Sequence, residues 1–235
     1  MKSWLLWLML LLMVPVSSFA APLHALLIGE YRPLKATEAE PVTDGFEALW
    51  LARLGELLGS DIALVDPGAR ADLKVGATAS GAVYYASELA GLTAADTGPA
   101  KWAELAGRPF CVAAGSPHAK VVASRFGAHA RAFPSTAQAL IGLKLGECQA
   151  VVADRLLLQQ IAALPEWRRY NRLLPGLEEA VLPLRVEADD VTLQQRIEQA
   201  VSSNRGRQML ADVTQHWVDE VAFQAYVLAD TLDCH

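Results

Sequence analysis

Phe133-Pro134-Ser135-Thr136 leads into Ala137 to Leu145, Gly146 follows, and the apolar run Ala150-Val151-Val152-Ala153 closes on Asp154. The first four residues open a helix from Ala137 to Leu145, and Gly146 stops it. Ala150 to Ala153 reads as a buried strand, and a further helix runs from Arg155 to about Ala163. Just upstream, Trp102 to Gly107 is a short helix and Phe110 to Ala113 a strand. Gly115-Ser116-Pro117-His118 then opens another helix, with Ser116 able to cap it and Pro117 at its first position. Strand, helix, loop, helix, strand, helix is the order of an α/β fold whose strands are covered by helices.

The flanks continue the pattern. Leu23 to Ile28 is a short apolar strand ending at Gly29, and the loop Glu30-Tyr31-Arg32-Pro33-Leu34 delivers Tyr31 to its edge. Phe46, Leu49, Trp50, Leu54, Leu57 and Leu58 fall at helical spacing before Gly59. Ile62 to Val65 and Leu73 to Ala77 are strands around the turn Asp66-Pro67-Gly68. Their connection is too short for the ~10 residues of a helical crossover, so they pair as a hairpin or lie apart. Val83-Tyr84-Tyr85 and the apolar stretch to Leu92 precede a small-residue linker, Thr93 to Pro99, read as the first crossing between two lobes. Leu182 to Val186 is a returning strand. Asp189-Asp190-Val191-Thr192 starts a helix with Leu193, Ile197, Ala200 and Val201 on one face, and a final helix carries Met209, Leu210, Val213 and Trp217. No internal repeat is present.

With 53% hydrophobic and 20% charged residues in 235, the chain is a packed globular protein rather than a disordered or collagen-like one. Lys+Arg 20 against Asp+Glu 26, net −6, lacks the basic footprint of a nucleic-acid binder. The one local basic cluster, Arg168, Arg169 and Arg172 beside Trp167 and Tyr170, reads as a solvated helix end. Lys2, the apolar run Trp4 to Val16 and Ser17-Ser18-Phe19-Ala20 form a secretory signal peptide cleaved after Ala20, since the run is shorter than the ~20 residues of a membrane span. The mature chain is therefore expected to be exported, into an oxidising compartment. Three cysteines there, Cys111, Cys148 and Cys234, allow one bridge and one spare, and their spacing supports no metal site.

This succession resembles family 3 of the periplasmic solute-binding proteins, the type II, amino-acid-binding kind. The resemblance covers most of the mature chain. Tyr31-Arg32-Pro33-Leu34 is similar to the family's aromatic loop after strand one, Asp44-Gly45-Phe46-Glu47 to its Gly-Phe-acid helix start, and Val83-Tyr84-Tyr85-Ala86-Ser87 to its Pro-Tyr-Tyr segment. Leu105-Ala106-Gly107 through Gly115-Ser116, and Phe133-Pro134-Ser135 through Asp154, are similar to its second-lobe strand-and-helix runs. The fold implied is α/β and two-lobed, each lobe a small sheet flanked by helices, with a reduced first lobe. The division implied is a signal peptide over 1–20, lobe one over 21–98, lobe two over 99–184, and a return to lobe one over 185–235.

The function implied is capture of a small polar solute, an amino acid or related small carboxylate or amine, in an interlobe cleft. An ABC-type importer or a membrane sensor would be the partner. No cofactor, metal or catalytic residue is called for, and a monomer is expected. Loops at strand C-termini face such a crevice. Asp154 would accept hydrogen bonds from a ligand ammonium group, as the family's matching aspartate does; its plain reading is a helix cap. Ser116 and the adjacent N–H groups would receive an anion, or simply cap their helix. Tyr31 would stack on the ligand, while Tyr84 and Tyr85 read more as hinge packing.

The family's Thr-x-x-Arg segment, whose arginine grips a carboxylate, is replaced by Thr78-Ala79-Ser80-Gly81. Thr78 and Ser80 then supply hydroxyls in its place, because Arg70 and Lys74 lie on the wrong side of the strand start. Cys111 and Cys148 fall in strands that neighbour one another in the family's second sheet, so a bridge is conceivable; Cys234 as a partner, or buried free thiols, remain open. Two other functions suit the scaffold. One is a degenerate lobe pair without a ligand, acting as an interaction or sensor module. The other is a dehydratase-like enzyme using Glu47, His118 or Asp154 as acid or base.

Overall fold

The structure is a computed structural model that describes residues 21–37, 42–177 and 180–232. The signal peptide with its cleavage site at Ala20, and Cys234, lie outside the described residues. The chain runs β1 (Leu23–Ile28), α1 (Phe46–Leu58), β2 (Ile62–Leu64), β3 (Leu73–Gly76), β4 (Ala82–Tyr85), β5 (Leu89–Thr93), β6 (Pro109–Ala113), α2 (His118–Phe126), β7 (His129–Phe133), α3 (Thr136–Lys144), β8 (Ala150–Asp154), α4 (Arg155–Ala163), β9 (Arg172–Leu173), β10 (Leu184–Ala188), α5 (Val191–Ser202) and α6 (Asn204–Leu232).

The strands form two five-stranded sheets, ordered β2-β1-β3-β10-β4 and β7-β6-β8-β5-β9. β2 and β3 flank β1 in parallel on opposite sides, so these two lie apart and make no hairpin. The short turn between them suffices because β2 ends and β3 begins opposite the same residue of β1, Ala25, so the chain need not run back the length of a strand. α1 buries Phe46, Trp50, Leu51, Leu54 and Leu58 against this sheet, and Trp50 stacks on Tyr84 at 4.4 Å between ring centroids. Gly59 ends the helix with φ at +67°, a left-handed conformation that only glycine adopts freely.

The first crossing between lobes lies earlier than the linker Thr93 to Pro99. β5, buried along its whole length, already pairs antiparallel with β8 in the second sheet. The chain therefore crosses over residues 86–88. The small-residue linker belongs to the second lobe, where the Thr93 hydroxyl donates to the Pro99 carbonyl at 2.9 Å and Arg172 donates to that of Gly98 at 2.7 Å. Sequence composition marks a loop there; pairing of Leu89–Thr93 decides which body owns it.

Cys111 on β6 is bridged to Cys148, with Cα atoms 5.7 Å apart. Cys148 sits in the turn ahead of β8, not in a strand, and so escapes the poor geometry of facing residues on parallel strands. The last helix extends beyond its sequence reading. α6 packs on α1 and α5 beside the first sheet and on α3 and α4 beside the second. One hydrophobic cluster consequently runs from Trp50 and Leu54 through Trp217 and Val221 to Leu140 and Val151.

A candidate interlobe site

Asp154 closes β8, whose residues are all buried, and α4 begins at the next residue. Its side chain makes no cap for α4. The crossing segment does that work instead: the Glu88 carbonyl accepts from the Arg155 N–H at 2.8 Å, and the Ser87 hydroxyl accepts from the Leu156 N–H at 3.3 Å. The carboxylate is thereby released from the helix and turns toward the other lobe.

Three side chains meet it there. The Tyr31 hydroxyl, from the loop after β1, donates to Asp154 Oδ2 at 2.9 Å. The Tyr85 hydroxyl, from the end of β4, donates to the same oxygen at 3.0 Å. His118 Nε2, from the first turn of α2, lies 3.0 Å from Asp154 Oδ1 and 3.1 Å from the Tyr31 hydroxyl. A carboxylate oxygen only accepts, so Nε2 carries a hydrogen and the Tyr31 oxygen accepts alongside it. The Tyr31 and His118 rings meet edge to face at 5.5 Å. Asp154 is 3% exposed and His118 2%, so the carboxylate and the imidazole are shielded from water, with the half-buried Tyr31 on the outer side of the group.

Burial pushes the phenol of Tyr31 well above its ordinary pKa, and the Asp154 charge adds to the effect. The same two causes, in the same order, raise Tyr85. Tyr84 is raised by burial first and by the charge of Glu47 second. Glu47 is itself 4% exposed in the first turn of α1.

Of the five residues expected at the site, two are in direct contact there: Tyr31 and Asp154. Ser116 is adjacent, but its hydroxyl accepts from the His118 N–H at 3.3 Å and so serves its own helix end. Next to it, Gly115 at φ +77° closes against the loop after β1, where a Cβ would stand 3.6 Å from the Glu30 Cβ. Thr78 and Ser80 are not drawn into the group. The Thr78 hydroxyl donates to the Ser80 carbonyl and the Ser80 hydroxyl to Glu187, each at 2.8 Å. A three-residue turn satisfies its own polar groups more cheaply than it reaches across a cleft. Lys74 is likewise committed, 2.9 Å from Asp189.

His118 and Tyr85 were not expected as binding residues. For His118 the available signal was its position two residues past Ser116, in the helix start that follows β6. For Tyr85 it was the strand period, which turns neighbours Tyr84 and Tyr85 to different sides of β4.

The fold is shared by solved structures. One is a mutant of the arginine-binding protein ArgBP from T. maritima, with a TM-score of 0.58 and 17% identity over 84% of this chain and 95% of that one. Another is the substrate-binding protein of an amino acid ABC transporter, at 0.55 and 14% over 84% and 99%. A third is a histidine kinase sensor domain similar to periplasmic binding proteins, at 0.56 and 17% over 83% and 95%. The chain has the periplasmic-binding-protein fold. No family model and no curated protein matches it by sequence. Within that fold, Tyr31 and Tyr85 come from the first lobe and His118 and Asp154 from the second, so the four-residue group lies between the lobes.

Proposed function

We propose that this chain is an exported binding protein that takes a small polar solute between its lobes, at Asp154. The reading rests on one observation: donors from both lobes converge on a single buried carboxylate at 2.9 to 3.0 Å. A protonated amine carries three N–H donors and offers the same carboxylate equivalent bonds when the lobes part. An amino acid or a related small amine is therefore the preferred ligand class. A carboxylate on that ligand would have the N–H groups near Ser116 rather than an arginine. Delivery to an ABC-type importer, or reporting to a membrane sensor, is the role that follows, and neither needs a cofactor.

Displacing the phenols breaks hydrogen bonds to a charged group, each worth roughly 1.5–3 kcal/mol, and the solute must replace them. Thermal-shift titration of the mature protein with amines, amino acids and small carboxylates tests the reading. A ligand specific for the native state raises the melting temperature by mass action, and Asp154→Ala should abolish that rise. Consumption of the solute during the titration would replace binding with catalysis.

One observation favours a second reading. Asp154 is already bonded by three side chains of its own chain and is all but inaccessible, which suits a closed module that recognises another protein. A folded protein indifferent to the whole panel would count against capture and in favour of that reading.

A further inference from the structure

α6 runs for 29 residues, about 43 Å at 1.5 Å per residue, and it reaches from one lobe to the other. Near its start, Met209 and Val213 share a cavity wall with Leu49 and Leu57 of α1. Further along, Leu210 and Thr214 face Tyr85 and Ala86 at the crossing and Leu156 and Gln160 of α4, around a cavity of about 470 Å³. Near its end, Leu228 lines a groove with Ile141 and Gly142 of α3 and with Phe133. Val213, Trp217, Val221 and Ala225, four residues apart in turn, are buried along this line.

A hinge between lobes turns on its backbone crossings, here residues 86–88 and the stretch before β10. A helix packed on both bodies follows such a rotation only by bending or by leaving one of them. Sharp bends in helices need proline, a glycine or serine pair, or a bulge. α6 contains no proline, and its one glycine, Gly206, lies in the first turn, far from the point where the lobes meet.

We infer that the C-terminal half of α6 is a latch: it must leave the second lobe before the cleft around Asp154 can open. This deepens the capture reading by naming what gates its site, although the latch itself is measurable without any solute. Tyr85 sits on both sides of the device. Its hydroxyl holds Asp154, and its residue lines the cavity under α6. Lobe opening and release of α6 therefore change surroundings that meet at one residue.

The experiment uses the mature chain carrying Cys234→Ser, with spin labels at Arg53→Cys on α1 and Ser124→Cys on α2, both exposed positions in different lobes. Ala225→Glu places a charge at a position with no exposure. The expected result is a second, longer interlobe distance population in Ala225→Glu that the parent lacks, with helix content and the two individual lobes preserved. An unchanged single population in a folded Ala225→Glu protein would overturn the latch. If that variant does not fold, Leu228→Ala, which shortens the contact with α3, is measured the same way with the same two outcomes. Failure of solute capture appears separately, as an absent thermal shift in the parent.

Discussion

Asp154 is the residue on which both lobes depend, and its removal has a structural cost as well as a functional one. Asp154→Ala leaves the hydroxyls of Tyr31 and Tyr85 without their acceptor, and His118 Nε2 with the Tyr31 oxygen alone. Each such orphan costs about 1–3 kcal/mol. Urea denaturation should therefore show the variant clearly less stable than the parent, where a simple surface ligand residue would leave stability unchanged. Tyr31, Tyr84 and Tyr85 carry a pH prediction. Their pKa values are raised in the folded protein, so it holds three protons that the unfolded chain loses near pH ~10. The stability they contribute is complete below pH ~10 and is lost as pH climbs from there toward the folded values. In an alkaline titration followed by phenolate absorbance, these three should ionise only together with unfolding; a step for them near pH 10 with the fold intact would contradict the burial.

At the scale of elements, α3 offers two contrasting tests. Ser135, 1% exposed, accepts the Gln138 N–H at 3.2 Å and caps the helix, so Ser135→Ala should lower unfolding free energy by about 1 kcal/mol. Gly142 faces the opposite problem. A Cβ there would stand 2.6 Å from Phe133 Cζ and 2.9 Å from Cys111 Sγ, and Gly142→Ala should cost about 1–3 kcal/mol through overpacking. Denaturant titrations measure both. The cap is visible in sequence, since Ser135 precedes an apolar helical run. The need for glycine inside that helix is not, because Phe133 and the Cys111–Cys148 bridge approach it from other elements.

For the whole molecule, the bridge joins residues 37 apart in sequence. Closing a loop of that size stabilises by roughly 3–4 kcal/mol in the chain-entropy account. A variant with Cys111→Ser and Cys148→Ser should melt at a lower temperature than the parent, and reductant should lower the parent toward it while leaving the variant unmoved. The shared hydrophobic cluster predicts in addition that the lobes do not melt separately. A single cooperative calorimetric transition is expected, because Trp217 and Val221 of α6 belong to one core with side chains of both sheets.

Periodicity and punctuation along the chain determined the element types, the α/β class and the placement of Tyr31 and Asp154 at strand ends, since each depends on neighbours within a turn or two. Which body owned Leu89–Thr93 depended on a strand about sixty residues away, and the alternative of hairpin or separate strands for β2 and β3 depended on β1. Tyr85 and His118 became site residues only when four segments were folded onto one carboxylate, while Thr78 and Ser80 found partners nearer at hand. The pairing of Cys111 with Cys148, and the span of α6 across both lobes, were likewise decided in three dimensions. Local propensity acts through the backbone of a few residues, whereas a buried polar group must find its partner wherever the tertiary fold delivers one.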